Sequence, residues 1–102
     1  MARRQFQFRL DNSTYVVVDL LLIQGHVVSF VVRLMAVRLG GDVNVARYDT
    51  AHGMAHRDEL GARIGLVRKV WFPDRSPAEV FSLAIADFKS NYENYLANFD
   101  RN

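Results

Sequence analysis

Residues Tyr15–Ile23 read YVVVDLLLI and carry a single charged residue, Asp19. Valine and isoleucine are β-branched and favour extended backbone. A strand buried on both faces reads as a continuous apolar run, whereas a strand with one solvated face alternates. We therefore predict a central strand here, in which the Asp19 carboxylate must be paired, lie at an edge, or lie between subunits.

Strand patterns continue on both sides of this run. Residues Gln5–Leu10 alternate polar and apolar side chains, which is typical of a half-buried strand. The segment Asp11–Ser13 has turn chemistry and predicts a hairpin into the central strand. After the turn at Gln24 and Gly25, the β-branched run His26–Leu39 predicts a third strand, long enough to bend or carry a bulge.

The next part of the chain is less regular. Gly40 and Gly41 tolerate positive φ and predict a tight two-residue hairpin turn before a strand over Asp42–Asp49. No apolar period is visible over Thr50–Arg63, which predicts a loop. The strand pattern resumes over Ile64–Phe72, with Lys69 and Trp71 on one face, and we expect Trp71 to belong to the core.

The C-terminal part of the chain predicts a long helix. Ser76 suits the N-cap, Pro77 the first helical position, and Glu79 the third, where its carboxylate closes a capping box. Apolar residues recur at three- and four-residue steps from Val80 to Phe99, which predicts about six helical turns. The polar residues expected on its outer face are Asp87, Lys89, Ser90 and Asn94.

Together these elements predict an α+β fold with a single antiparallel β-sheet of about five strands, arranged as a meander. A long C-terminal α-helix packs on one face of this sheet. Residues 1–102 form a single domain, since this length holds one core. One helix covers one face only, so the apolar run Tyr15–Val37 predicts a homo-oligomer, a dedicated protein partner, or a sheet curved enough to close on itself.

Composition excludes several classes of protein. The absence of cysteine excludes disulfides, thiol chemistry and cysteine-zinc sites, and it suits a reducing cytoplasm. The net charge of +2 is weak support for nucleic-acid binding, although arginines crowd the N-terminus and the region after residue 56. The most apolar region, Tyr15–Val37, is interrupted by polar residues and rich in valine, which argues against a membrane helix. We expect a cytoplasmic protein without a membrane partner.

The segment Arg47–Asp58 is the candidate site. It holds two of the three histidines together with two arginines, two carboxylates and a tyrosine. Binding and catalytic groups tend to lie on loops carried by a rigid scaffold. A connection that needs only turn chemistry has no reason to carry so many ionisable groups, so the segment predicts a site near the end of a strand.

The first hypothesis for this site is RNA cleavage without a metal or cofactor. His52 and His56 would act as catalytic acid and base, because one group must remove the 2′-hydroxyl proton and another must protonate the leaving oxygen. A carboxylate, Asp49 or Asp58, would orient an imidazole, and Asp49 is the predicted third catalytic residue. The predicted substrate-binding residues are Arg47, Tyr48, Arg57 and Lys69, as phosphate ligands and as a base-stacking or hydrogen-bonding tyrosine.

Three alternatives remain open. His52 and His56 with Asp49 or Asp58 have the ligand types of a zinc or manganese site, but the glutamate of His-Glu-x-x-His is absent. The runner-up is a non-catalytic surface for nucleic acid or protein, whose binding would weaken with salt. The purely structural alternative is an ion pair between Arg47 and Asp49, an Asp58 that caps a turn, and solvated histidines.

A resemblance favours the first hypothesis. The signature Arg47-Tyr48-Asp49-x-Ala51-His52-Gly53, followed by His56-Arg57-Asp58, is similar to that of small prokaryotic proteins and resembles TumE-type toxins of two-gene toxin–antitoxin pairs. Thr50 stands where the Arg-Tyr-Asp-Asn-Ala core of those toxins has Asn. The resemblance implies a growth-inhibiting toxin, a candidate endoribonuclease, neutralised by a cognate antitoxin protein. Carried over by position, it marks Arg47, Asp49, His52 and His56.

Overall fold

The computed structural model contains six strands and one long helix, and it describes residues 1–102 except for the side chain of His52. A short 3-10 turn, Ala51–Gly53, follows the fourth strand. The strands are β1 (Ala2–Asp11), β2 (Thr14–Ile23), β3 (His26–Ala36), β4 (Val43–Asp49), β5 (His56–Gly61) and β6 (Gly65–Trp71), and the helix is α1 (Pro77–Arg101).

The six strands form one antiparallel sheet in the order β1-β2-β3-β4-β5-β6, so each strand pairs with its neighbours in sequence. The predicted α+β meander is therefore confirmed, but the sheet has six strands and not five. The additional strand, β5, lies within the segment predicted to be a loop. Its residues His56, Arg57, Asp58 and Glu59 are polar on both faces, so no apolar alternation marks it.

The predicted two-residue turn at Gly40 and Gly41 is wrong. Strand β3 ends at Ala36 and β4 begins at Val43, so the connection spans residues 37–42. The amide of Gly41 donates to the carbonyl of Arg38 at 3.1 Å, and Gly41 has a φ of +120°. The turn is therefore built within a wider loop. Glycine still serves there because it accepts positive φ without a steric penalty.

The core lies between the sheet and α1, and the helix covers one face only. On β2 the even-numbered residues from Thr14 to Leu20 are buried, while the odd-numbered residues from Tyr15 to Leu21, including Asp19, are half-buried on the other face. Leu10 and Leu22 pack at the edge of this core. The main core residues are Val16, Val18, Leu20, Phe30, Val32, Leu34, Tyr48, Val80, Ala84, Phe88 and Phe99.

Helix α1 begins as predicted. The amide of Glu79 donates to the Ser76 hydroxyl oxygen at 3.2 Å, and the amide of Ser76 donates to the Glu79 carboxylate at 3.0 Å. The predicted exposure of Asp87 is wrong, because this carboxylate is half-buried and faces the sheet. Within the described part of the chain, no helix combines the length and the apolar character needed to cross a membrane.

Candidate functional site

Strand pairing brings the candidate site together on the face of the sheet that α1 leaves uncovered, here called the open face. In the register of β4 and β5, Asp49 lies opposite His56 and Arg47 lies opposite Asp58. Strand β6 adds Lys69 opposite Asp58. Side chains opposite each other on one face of an antiparallel pair are within contact distance. These five residues form the open-face cluster.

His56 lies at the centre of this cluster and is 2% exposed. Its Nε2 is 3.1 Å from Asp49 Oδ1 and 3.8 Å from Asp58 Oδ2. Its Nδ1 is 3.2 Å from the carbonyl oxygen of Met54. Both ring nitrogens therefore face oxygen acceptors, and a neutral imidazole can donate to only one of them. The prediction that the histidines are solvated is wrong for His56.

Two cations compensate the carboxylates. Arg47 Nε donates to Asp58 Oδ2 at 3.2 Å and lies 3.4 Å from Asp49 Oδ2, which confirms the predicted ion pair of Arg47 with Asp49. Lys69 Nζ lies 3.0 Å from Asp58 Oδ1. Among the described residues, that buried oxygen has no hydrogen-bond partner of acceptable geometry. The contact with Lys69 is thus an ion pair with poor directionality, which a ligand can displace more easily than a directed hydrogen bond.

The same atoms have the composition of a metal site. Three potential ligand atoms lie within 4.8 Å of one another, one each from Asp49, His56 and Asp58. However, Arg47 and Lys69 already place two positive charges on the two carboxylates. A divalent cation would have to displace these contacts, because like charges at such distances repel. The cluster is therefore charge-compensated by its own side chains.

An open cavity of about 610 Å³ adjoins the cluster on the same face. Three arginines line it, Arg3, Arg33 and Arg47, together with the carboxylates of Asp19 and Asp49. A cleft whose lining carries more positive than negative charge attracts anions. Among the described carboxylates, none forms a salt bridge with Arg33, so this guanidinium is available to a ligand. The cavity therefore suits a phosphate-bearing ligand.

The half-buried carboxylate of Asp19 has its partner within this cavity. Arg3 donates to it through Nε at 3.0 Å and Nη2 at 2.6 Å, and Gln5 adds a third hydrogen bond. The hydrogen bonds from Arg3 hold the pKa of Asp19 below its usual range. This pairing agrees with the expectation that a carboxylate among valines must have a partner.

A second charged cluster lies behind the open-face cluster, between the sheet and α1. Tyr48 donates to Asp87 Oδ2 at 2.7 Å and accepts from Arg57 Nη1 at 3.1 Å. Tyr95 donates to the same Asp87 oxygen, and Arg57 also donates to Glu59 at 3.0 Å. These five residues form the helix-side cluster. The structure thus separates Tyr48 and Arg57 from the other predicted substrate-binding residues, Arg47 and Lys69.

The helix-side cluster is closed to solvent at Tyr48, which is 0% exposed. Burial, followed by the hydrogen bond to Asp87, raises the pKa of Tyr48 to about 12. Burial and the same carboxylate also raise the pKa of Tyr95. Both phenols therefore keep their protons across the physiological range. With no exposed surface, Tyr48 offers no platform for a base in this arrangement.

Of the predicted catalytic residues, Asp49 and His56 are in contact, with His56 Nε2 3.1 Å from Asp49 Oδ1. The side chain of His52, the third, lies outside the described residues. One functional candidate escaped the sequence prediction. Trp71 is 47% exposed on the open face and does not belong to the core. Its ring centroid is 5.0 Å from that of His56. The sequence signal for its exposure is the two-residue period of the strand, which puts Trp71 on the same face as the charged residue Lys69.

Comparison with known proteins gives a family and no individual relative. No curated protein and no solved structure matches the chain. The family described as Domain of unknown function (DUF7718) matches residues 1–102. Because this match spans the whole chain, the protein belongs to the DUF7718 family.

Proposed function

We propose that the protein is a toxin-like endoribonuclease of a two-gene toxin–antitoxin pair, which cleaves RNA on its open face without a metal or cofactor. One observation carries this proposal. Three residues of the signature that resembles TumE-type toxins converge: Asp49, His56 and Asp58 are in contact beside a cavity lined by three arginines. The site combines acid-base groups with phosphate ligands.

In the proposed reaction, the 2′-oxygen of a ribose attacks the adjacent phosphorus and the bond from phosphorus to the 5′-oxygen breaks. One histidine takes the 2′-hydroxyl proton and the other gives a proton to the leaving 5′-oxygen. His56 and His52 fill these two roles, which requires Nδ1 of His56 to exchange its contact with the carbonyl oxygen of Met54 for a substrate oxygen. Asp49 holds the His56 imidazole through the 3.1 Å contact to Nε2. The product carries a 2′,3′-cyclic phosphate.

The cations supply the electrostatic part of catalysis. Negative charge accumulates on the phosphorane-like transition state, and preorganised cations stabilise it more strongly than they stabilise the ground state. Arg47 and Lys69 flank the carboxylates of the open-face cluster. Substrate phosphate would exchange for part of these carboxylate contacts. The 40% exposure of the Arg47 side chain leaves one side of it accessible from the cavity.

The second candidate function is non-catalytic binding of RNA or of an acidic protein surface, such as that of an antitoxin. The burial of His56 favours it, because both ring nitrogens are already engaged and the ring is 2% exposed. Under this hypothesis the cluster only shapes the cationic cavity. Binding then weakens as salt rises, and prolonged incubation yields no RNA product.

Two experiments separate these functions. Induced expression should slow bacterial growth, and co-expression of a small adjacent gene should relieve it. Purified protein should cleave single-stranded RNA in a chelator, whereas the same oligonucleotide with 2′-deoxyribose throughout should resist cleavage. His52→Ala and His56→Ala should each lower the rate by about 100-fold or more. His26→Ala is the matched control, because His26 is exposed at the start of β3, outside the signature.

The outcomes are distinct. Cleavage that survives both histidine substitutions, or that proceeds equally on the 2′-deoxy oligonucleotide, contradicts the acid-base assignment. Salt-sensitive RNA binding without product, in a protein that still inhibits growth, leaves the binding function in place of the enzyme.

A further inference from the structure

We propose that Trp71 and Lys69 form a nucleotide subsite for single-stranded RNA, in which a base stacks on the exposed indole and the adjoining phosphate pairs with the ammonium group. This inference rests on the proposed function and specifies its substrate as unpaired RNA. The indole is 47% exposed, and Lys69 Nζ lies over its ring, 5.2 Å from the centroid, so a stacking base would take the place of this cation–π contact.

The chemistry of the pair is that of single-strand recognition. Proteins that bind unpaired nucleic acid combine a cationic groove for the backbone with aromatic rings on which bases stack. Bases within a duplex are already stacked on both sides and cannot use such a ring without being flipped out. Among soluble proteins, an exposed tryptophan beside a lysine on an open sheet face therefore points to a flat, anionic ligand.

The subsite is continuous with the open-face cluster. In the strand registers, Asp49 lies opposite His56 and His56 lies opposite Trp71. The pairing of β3 with β4 extends this row to Val31 at the cavity. Adjacent strands are about 4.8 Å apart, so the row from β3 to β6 spans about 14 Å. RNA lying along it would contact the arginine-lined cavity, pass the buried histidine and reach Trp71.

The position of Trp71 on an edge strand leaves room for the ligand. Strand β6 pairs with β5 alone, so no further strand flanks the ring. The side of the ring toward β5 rests against His56, at 5.0 Å between centroids. A base placed on Trp71 therefore lies next to the residue proposed to transfer protons, which gives the subsite a role in positioning the scissile phosphate.

The chain carries a single tryptophan, so its fluorescence reports on this subsite alone. The probe is a 2′-O-methyl RNA of about twelve nucleotides, a length within the usual site sizes for single strands. It resists cleavage through the 2′-oxygen, so binding can be measured whether or not the protein is an enzyme. Saturable quenching is expected with this single strand, and much weaker quenching with its duplex and with inorganic polyphosphate.

Substitutions test the contribution of stacking. Trp71→Ala should weaken binding of a labelled probe, measured by anisotropy, on the order of tenfold, whereas Trp71→Phe should keep most of the affinity. Leu66→Ala is the matched control, because Leu66 is 52% exposed on the same strand. Circular dichroism of each variant separates loss of binding from loss of fold.

Three results would overturn the subsite. Equal quenching by polyphosphate and by the single strand would reduce it to a charge effect. Unchanged affinity in folded Trp71→Ala would exclude stacking even if RNA cleavage persists. Fluorescence that changes with protein concentration and not with RNA would identify Trp71 as a contact between two copies of the chain. Absence of cleavage with intact quenching would instead contradict the proposed enzyme and leave the subsite standing.

Discussion

Strands β4 and β5 carry two charged clusters back to back, and the two clusters differ in what covers them. On the helix side, Tyr48 donates to Asp87 and accepts from Arg57, and the phenol is 0% exposed. On the open face, His56 and Asp58 are equally buried, but Arg47 and Lys69 border the solvent and a cavity. Alternate residues of the same two strands thus contribute to the helix-side cluster and to the open-face cluster.

The difference lies in how completely the polar atoms are paired. In the helix-side cluster the phenols of Tyr48 and Tyr95 share one carboxylate oxygen of Asp87, and Asn91 donates to the other at 2.7 Å. A fully paired polar network fixes one packing arrangement. In the open-face cluster, both nitrogens of His56 face oxygen acceptors although a neutral imidazole has one N–H, and one oxygen of Asp58 lacks a directed partner. Incomplete pairing of this kind leaves groups that a ligand can satisfy.

The largest effect is expected from Tyr48→Ala. The substitution removes a buried aromatic ring that packs against Phe72 and Phe88, and such truncations cost about 3–5 kcal/mol of unfolding free energy. Urea unfolding measures the loss. Tyr48→Phe, which keeps the ring but removes the hydroxyl, should cost about 1–3 kcal/mol. An unchanged urea midpoint in Tyr48→Ala would break the comparison, because the helix-side cluster would then be dispensable.

The next effect concerns alkaline pH. The folded-state pKa of Tyr48 is raised from 10.0 to about 12, so its protonated phenol contributes stability that is fully present below pH 10. That contribution, about 3 kcal/mol, is lost as pH rises from 10 through 12. Unfolding free energies measured below pH 10 and between pH 10 and about 12 check this loss. Tyr48→Phe should show a shallower decline, and the remainder should come from the other tyrosines, whose pKa values are also raised. An equally steep decline in Tyr48→Phe would assign the effect to groups other than Tyr48.

A smaller effect on stability, with a clear effect on binding, is expected from Lys69→Ala. Arg47 still compensates Asp58 in this variant, and a partly exposed ion pair contributes little stability, about 1 kcal/mol or less. RNA affinity should fall and the slope of log affinity against log salt should decrease by about 1. Lys89→Ala on α1 is the matched control, because Lys89 is the other lysine of the chain and is exposed. Equal slopes of log affinity against log salt in Lys69→Ala and Lys89→Ala would show that Lys69 does not contact the RNA phosphate.

The smallest effect is expected from metal. Because Arg47 and Lys69 already compensate Asp49 and Asp58, we expect EDTA to leave RNA cleavage unchanged and Mn²⁺ to leave the Tm unchanged. Cleavage assays and thermal unfolding with each addition check this. Loss of cleavage in EDTA that Mn²⁺ restores would mean that Asp49, His56 and Asp58 hold an ion in the active protein.

Local signals predicted the periphery of the structure well. The capping box at Ser76 and Glu79 depends on residues within one turn, so sequence alone identifies it. In β4, Arg47 and Asp49 lie on one face and Tyr48 on the other, as the two-residue period of a strand requires. Asp87 was placed outside because a carboxylate on a helix is normally solvated. Its partners, Tyr48 and Tyr95, become visible only when the helix lies on the sheet.

The site itself was predicted in part, and the missing strand β5 explains the rest. With no apolar alternation over His56–Gly61, the sequence predicts a loop, and a loop places all of its charged residues in one site. A strand sends Arg57 to the face opposite His56 and Asp58. The sequence predicts a core position for Trp71 because tryptophan is highly buried on average. Its exposure follows from the absence of a helix on the open face.

The meander also has a consequence for the order in which the protein can fold. Each strand pairs only with strands adjacent in sequence, so the sheet can assemble through short loop closures as the chain is synthesised. Helix α1 follows all six strands, and until it is made the apolar side chains of β2 and β3 have no cover. Asp87 reaches Tyr48 only at that last step. The face proposed to meet RNA can therefore form before the hydrophobic core is closed.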